Sequence, residues 1–364
     1  MFIGLGIFLL FFNFFAEAKD CFNVDLNKGA FLPKIKILDQ SINGTCYSCA
    51  SSQLLEYKLL DLGLKVSPSP IELASFAPSN SETIVKGGWI YQTLESVKKF
   101  GVVPDQCIEK AVENFTGSST MSQHLLLAYL NYYFAKKSNN LNYQNPLDQK
   151  MSDVIDQKLK HRYQHHQSVF EVLQDIFSVC RNKFSKRFDF DIDRLKRGNN
   201  QDYASFITEH LKSLKPVGVE MCIEALFKRN NYDGLFETGN EAFSLLPRDK
   251  STNLNHCTGH ALLVVAQRIN TQTKQCQLMM RNSWGTSWGR EESKRGQSCA
   301  CRVGRKYFAD CPSEKALMSD EYLLSEFLGD KVKLRLEIMK RKFLGCWYQK
   351  EHIVKNTFRL TSLK

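Results

Sequence analysis

Three textures of apolar and polar residues follow one another along this chain. Met1 to Phe15 is almost wholly apolar, including Ile7-Phe8-Leu9-Leu10-Phe11-Phe12, and it closes on Ala16-Glu17-Ala18 before Lys19-Asp20. Such a run reads as a signal peptide over 1–18, and an uncleaved anchor is the rival reading. A spanning helix needs about 20 apolar residues, more than this run supplies. No later stretch is long and apolar enough to span. Residues 19–39 read as an extended lead-in, with Pro33 before the alternating Ile35 and Ile37. From Cys46 the spacing of Leu54, Leu55 and Leu59-Leu60 predicts a helix that Thr45 can cap. Gly87-Gly88 opens a second helix, Trp89 to Phe100, which Gly101 ends.

Residues 117–214 are long, polar and helix-periodic, with Leu125-Leu126-Leu127, Val169-Phe170, Val172-Leu173 and Ile176-Phe177 as the apolar stripes. They read as an inserted helical subdomain. After Pro216 the texture is that of strands. Val217-Gly218-Val219 leads into Met221, Ala261 to Val265 is a short continuous apolar run, and Gln277-Leu278-Met279-Met280 is another. Residues 289–316 read as loop. Val332, Leu334, Leu336 and Ile338 alternate with charged residues and predict a half-buried strand. Helices first and strands later imply an α+β architecture of two lobes with a cleft between them. The segments are then 1–18, 19–116, 117–214, 215–330 and a C-terminal extension, 331–364.

Composition adds a compartment and removes some partners. Twelve cysteines in 364 residues are many for a cytoplasmic enzyme and ordinary for an exported one, where disulfides persist. The expected location is therefore secreted or periplasmic. If one cysteine is catalytic, at least one more has no mate within the chain. The net charge of +11 is scattered, with no single-signed block beyond Lys340-Arg341-Lys342. That favours a solvated basic surface over nucleic-acid binding.

Chemistry concentrates at three places. Gln40-Ser41-Ile42-Asn43-Gly44-Thr45-Cys46-Tyr47-Ser48 puts a thiol where a glycine-containing loop turns into a helix. The helix N-terminus favours the thiolate there. The Cys46 backbone N–H and the Gln40 side-chain amide can donate to a developing oxyanion. His260, in Gly259-His260-Ala261-Leu262-Leu263-Val264-Val265, opens a buried strand and is held as a general base must be. Twenty-two residues later, Asn282 in Arg281-Asn282-Ser283-Trp284-Gly285 can accept from the second ring nitrogen and fix the tautomer. Trp284 can cover that bond.

These residues carry a resemblance to the papain family of cysteine peptidases. Gln40 with its six-residue step to Cys46, Gly44, Tyr47, His260-Ala261 and Asn282-Ser283-Trp284-Gly285 all match the family pattern. Gly87-Gly88 resembles its glycine pair, whose backbone pairs with bound peptide, and Pro216-Val217-Gly218-Val219 resembles the strand opening its second lobe. The matching parts are about 30–110 and 214–290. The resemblance implies a helical left lobe, an antiparallel, barrel-like right lobe and hydrolysis of peptide bonds through a Cys46 thioester. Cys46, His260, Asn282 and Gln40 would be catalytic, and Gly87, Gly88 and Trp284 would bind substrate. A peptide or protein is the expected partner, with a monomer and neither metal nor cofactor. Three departures stand out. Cys46 and His260 lie 214 residues apart, against roughly 130–150 in the family. The short stretch before Gln40 favours a bacterial-type branch lacking a long propeptide. Asn43 replaces the cysteine that commonly precedes the nucleophile.

Competing readings exist at several positions. Cys49 could be aligned as nucleophile, but that register puts Asn43 where Gln40 belongs. His256 could be the base, although no strand follows it. His161 and His165 share a helix face without an acidic or thiol companion, which argues against a metal site. Cys299, Cys301 and Cys311 suit disulfides better than zinc. Asn43-Gly44-Thr45 and Asn114-Phe115-Thr116 fit the glycosylation pattern by chance. The same triad would also serve a transpeptidase or ligase, and the same fold a non-catalytic binding protein.

Overall fold

A computed structural model describes residues 21–40, 43–76, 83–85, 87–139, 143–223, 259–285, 288–294 and 297–364. The expected signal peptide and His256 lie outside the described residues. In chain order, β1 (Val24–Asp25) precedes α1 (Cys46–Asp61), α2 (Pro70–Ala74), α3 (Ile90–Phe100) and α4 (Asp105–Thr116). Next come α5 (Gln123–Lys137), α6 (Gln149–Arg162), α7 (Val169–Phe184), β2 (Ile192–Leu195), α8 (Asn200–Lys212) and β3 (Val217–Cys222). Then follow β4 (Gly259–Ile269), β5 (Cys276–Arg281), α9 (Trp288–Lys294), β6 (Cys299–Val303) and β7 (Lys306–Phe308). The remainder is α10 (Glu314–Met318), α11 (Glu321–Glu326), α12 (Lys331–Met339), β8 (Lys342–Gln349), α13 (Lys350–Lys355) and β9 (Thr357–Leu363). Helices and antiparallel strands thus combine as the α+β class requires. None of the described helices is long and apolar enough to cross a membrane.

The chain forms two compact units, each assembled from three separate stretches. One holds residues 40–196, 218–262 and 361–364. Its centre is α1, in which ten consecutive residues, Cys46 to Leu55, are buried. A helix enclosed on all sides must satisfy its polar groups internally. Ser48 donates to the Thr45 carbonyl (2.9 Å), Ser51 to that of Tyr47 (2.7 Å) and Ser52 to that of Pro68 (2.7 Å). Thr45 sits at the N-cap but makes no capping bond with its side chain. Around α1 the caps follow the usual chemistry. The side chains of Ser122, Asp148 and Ser168 accept from backbone N–H groups at the starts of α5, α6 and α7. Gly101 (φ 83°) and Gly117 (φ 73°) close α3 and α4 in a backbone conformation that favours glycine. The Cys107–Cys180 disulfide ties α4 to α7, and Arg181 of α7 pairs with the buried Glu72 of α2 at 3.3 Å.

The other unit holds residues up to 39, 197–217 and 263–360. Its strands run in the order β4-β5-β8-β6-β7, with β1 also paired to β4. The register sets Leu263 opposite Arg281, Met279 opposite Trp347 and Cys301 opposite Phe308. This antiparallel ladder is open, not closed into the barrel-like form the resemblance implies. Cys299 and Cys346 face each other across β6 and β8 and are joined covalently; Cys21–Cys276 and Cys301–Cys311 complete the set in this unit. Cys222 of the first unit is also oxidised. Such bonds persist in oxidising compartments.

Two expectations from residue pattern fail here. Residues 331–339 form a helix, α12, not a strand. Leu334 and Ile338 point to one core with Val303, Leu317, Leu323 and Phe327, a spacing of four that suits a helix. Residues 289–316 are not loop throughout, since most of α9, all of β6 and β7 and the start of α10 fall there.

Candidate active site

The loop before α1 is built around Gln40. Asn43 donates its backbone N–H to the Gln40 carbonyl (3.1 Å), and the Gln40 side-chain amide donates back to the Asn43 carbonyl (3.0 Å). The Asn43 side chain donates in turn to the carbonyl of His124 on α5 (2.8 Å). This turn is thereby tied to α5. It delivers Cys46 as the first residue of α1. Tyr47, fully buried, packs its ring against Gly88. A Cβ at Gly88 would meet that ring at 2.8 Å, so only glycine fits. Gly87 has φ 85°, a second reason for the pair that is independent of any ligand.

The backbone N–H groups of Ala261 and Tyr47 are placed to hydrogen-bond the Cys46 sulfur and favour its thiolate. Ala261 follows His260 directly, so thiol and histidine backbone meet within one unit. His260, at the second position of β4, is buried. Neither these hydrogen bonds nor the helix N-terminus sets the thiol's protonation. Burial dominates and pushes the Cys46 pKa up to about 11, aided by the nearby Glu220 carboxylate. The expected lowering by the helix dipole is therefore outweighed: removing a thiolate from water costs more than a half-charge at a helix end returns.

No motif or spacing in the sequence marks Glu220. It sits in β3 within Val217-Gly218-Val219-Glu220-Met221-Cys222 and is 3% exposed. One carboxylate oxygen accepts from the Ile90 N–H at 2.7 Å, satisfying a donor at the start of α3. The available signal was a lone carboxylate inside an otherwise apolar strand, since such a charge is buried only for a purpose.

Asn282 and Trp284 belong to the other unit. Asn282 follows Arg281, the residue set opposite Leu263, and its side-chain oxygen accepts from the Ser283 N–H at 2.8 Å. Arg281 is itself buried and donates to the carbonyls of Leu32 and Ile35 (3.4 and 2.6 Å), fixing the segment that leads to Asp39. Trp284 bridges to Asp39 and meets Trp288 edge to face, with ring centroids 5.9 Å apart.

Cys49 is buried on α1, and both it and Cys46 are thiols. Cys299, Cys301 and Cys311 are consumed by disulfides, which removes them as zinc ligands. Among the described residues no group of three or more His, Cys, Asp and Glu is placed to hold a metal ion. A cavity of about 590 Å³ lies against α4 and α7, lined by Lys110, Phe115, Arg162, Asp175 and Lys183 among others. None of the candidate site residues lines it.

No family model matches the chain, and none of the curated proteins matches it. Solved structures do. Procathepsin L 3 from the larval midgut of Tenebrio molitor is 17% identical, with 72% of this chain and 60% of that chain covered and a TM-score of 0.36. The chain thus spans 60% of that protein's length. Xylellain, a cysteine protease from Xylella fastidiosa, is 14% identical over 72% of this chain and 75% of that one, at a TM-score of 0.36. The bromelain protease from Ananas comosus, in complex with the E64 inhibitor, is 12% identical over 94% and 98%, at a TM-score of 0.39.

Proposed function

We propose that this chain is a cysteine peptidase in which Cys46 is the nucleophile and His260 the general base. The observation that carries the reading is that Cys46 opens α1 in the same compact unit that holds the buried His260. In the proposed reaction the Cys46 proton passes to the imidazole and the sulfur attacks the peptide carbonyl carbon. The Gln40 amide and the Cys46 N–H stabilise the oxyanion. The imidazolium then protonates the departing amine, leaving a thioester. Water, deprotonated by His260, attacks that thioester and releases the second product and the thiol. Asn282 orients the ring, Trp284 shields it, and the Gly87-Gly88 backbone pairs with the peptide. Transfer of the acyl group to an amine instead of water is the ligase variant of the same chemistry.

The proposed setting is secreted or periplasmic, after removal of residues 1–18, in the manner of bacterial-type family members, and as a monomer. The disulfides support an oxidising compartment. Residues 117–214 are proposed to act as one inserted segment that governs access to the site.

One observation favours a second reading, a non-catalytic binding protein. The thiol is buried, and that burial pushes its pKa up to about 11, away from the reactive thiolate. A single variant separates the two. Cys46→Ala is expected to abolish turnover of fluorogenic peptides and to leave the circular dichroism spectrum and Tm in place. Residual hydrolysis by a folded Cys46→Ala protein would sink the peptidase assignment. If the native chain neither turns over peptides nor takes an electrophilic epoxide on Cys46, the binding reading stands instead.

A further inference from the structure

Helix α12 carries apolar side chains on two opposed faces. Leu334 and Ile338 are buried in the core with Val303 and Leu317. On the far side Val332, Leu336 and Met339 are 72%, 50% and 59% exposed, and Leu328, in the turn just before, is 91% exposed. At 3.6 residues per turn the three helical positions fall within an arc of roughly 60°. Single exposed apolar residues are ordinary, but a contiguous stripe is not. Leu328 also holds a left-handed backbone (φ 54°), a conformation leucine disfavours, and its side chain contributes no burial to the fold.

Charge frames the stripe. Helical geometry places Arg335 along one edge and Lys333 and Lys340 along the other. Between Lys331 and Lys342 there are six Lys or Arg residues and one acid, Glu337. Arg335 and Lys340 touch Glu314 and Glu337 at 3.6 Å, in exposed pairs that water and salt weaken. An apolar stripe between basic rims is the form of a helix that lies in the plane of an anionic bilayer. Its apolar side chains enter the acyl boundary and its cationic heads stay among the phosphates.

We propose that the face formed by Leu328, Val332, Leu336 and Met339 docks the protein peripherally on an anionic lipid surface. The contact is on the membrane and not through it, and it stands apart from the peptidase reading. A second copy of the chain is a poorer occupant. A symmetric contact through this short helix would set basic rim against basic rim, and it offers little of the roughly 800 Å² per partner that stable dimers bury.

The test is co-sedimentation of the full chain with vesicles of phosphatidylserine and phosphatidylcholine in equal parts, or of phosphatidylcholine alone. Binding is expected to the first, to weaken with salt, and to be largely lost on the second. Leu328→Ser and Leu336→Ser should each weaken it by about tenfold, and Lys333→Gln and Lys340→Gln by about fivefold each. All four positions are exposed, so the variants should keep the native Tm. Absence of binding, or equal binding to both vesicles, would overturn the proposal. So would concentration-dependent self-association that Leu336→Ser removes.

Discussion

Burial and a neighbouring negative charge act on the Cys46 thiol in the same direction, and only the second can be removed without opening the core. Glu220→Gln keeps an oxygen to accept from the Ile90 N–H and deletes the charge. The pH profile of iodoacetamide alkylation at Cys46 is then expected to move to lower pH, with little change in Tm. An unmoved profile would show that Glu220 does not reach the sulfur electrostatically. Several residues of the candidate site were legible at this scale. Gln40, Cys46 and Tyr47 form a local pattern whose spacing the folded loop explains, because the Gln40 amide closes the turn onto Asn43. Glu220 was not legible. Its partner, Ile90, lies 130 residues away, and no local spacing encodes that pairing.

Among the elements, α4 and α7 are joined covalently through Cys107–Cys180 across a separation of 73 residues. Replacing both cysteines by serine is expected to lower unfolding free energy by about 2–4 kcal/mol, read from the urea midpoint. A loss near zero would mean that helix packing alone holds α7 against α4. Element type was readable wherever one period dominated. The run Ala261 to Val265 is buried and extended in β4, and the stripe Val172, Leu173, Ile176 and Phe177 is the buried side of α7. It was unreadable at 332–338, for a definite reason. Val332, Leu334, Leu336 and Ile338 alternate as a strand would, yet they also form two pairs four apart. Leu334 and Ile338 face the core while Val332 and Leu336 face water. A helix with two apolar faces and a half-buried strand share that sequence, and only the packing partners decide between them.

For the whole molecule, the acid–base behaviour of Glu72 gives a measurable slope. Burial raises its pKa from 4.5 to about 7 despite the Arg181 guanidinium beside it. The native state therefore holds this proton more tightly than the unfolded chain does. The stability this contributes is full below pH 4.5 and is lost as pH rises through about 7. Glu72→Gln should flatten the fall in Tm between pH 5 and pH 8 relative to the native protein. An identical fall in the variant would assign the slope to other groups. Finally, the Cys21–Cys276 bond closes a span of 255 residues. Cys21 cannot meet its mate until that length has been made, on the order of tens of seconds at about 5–20 residues per second. Throughout that wait its thiol is open to exchange with Cys107 and Cys180, which emerge much earlier. Correct oxidation of this chain is thus a problem of timing as well as geometry, and a disulfide isomerase should raise its yield more than a faster oxidant would.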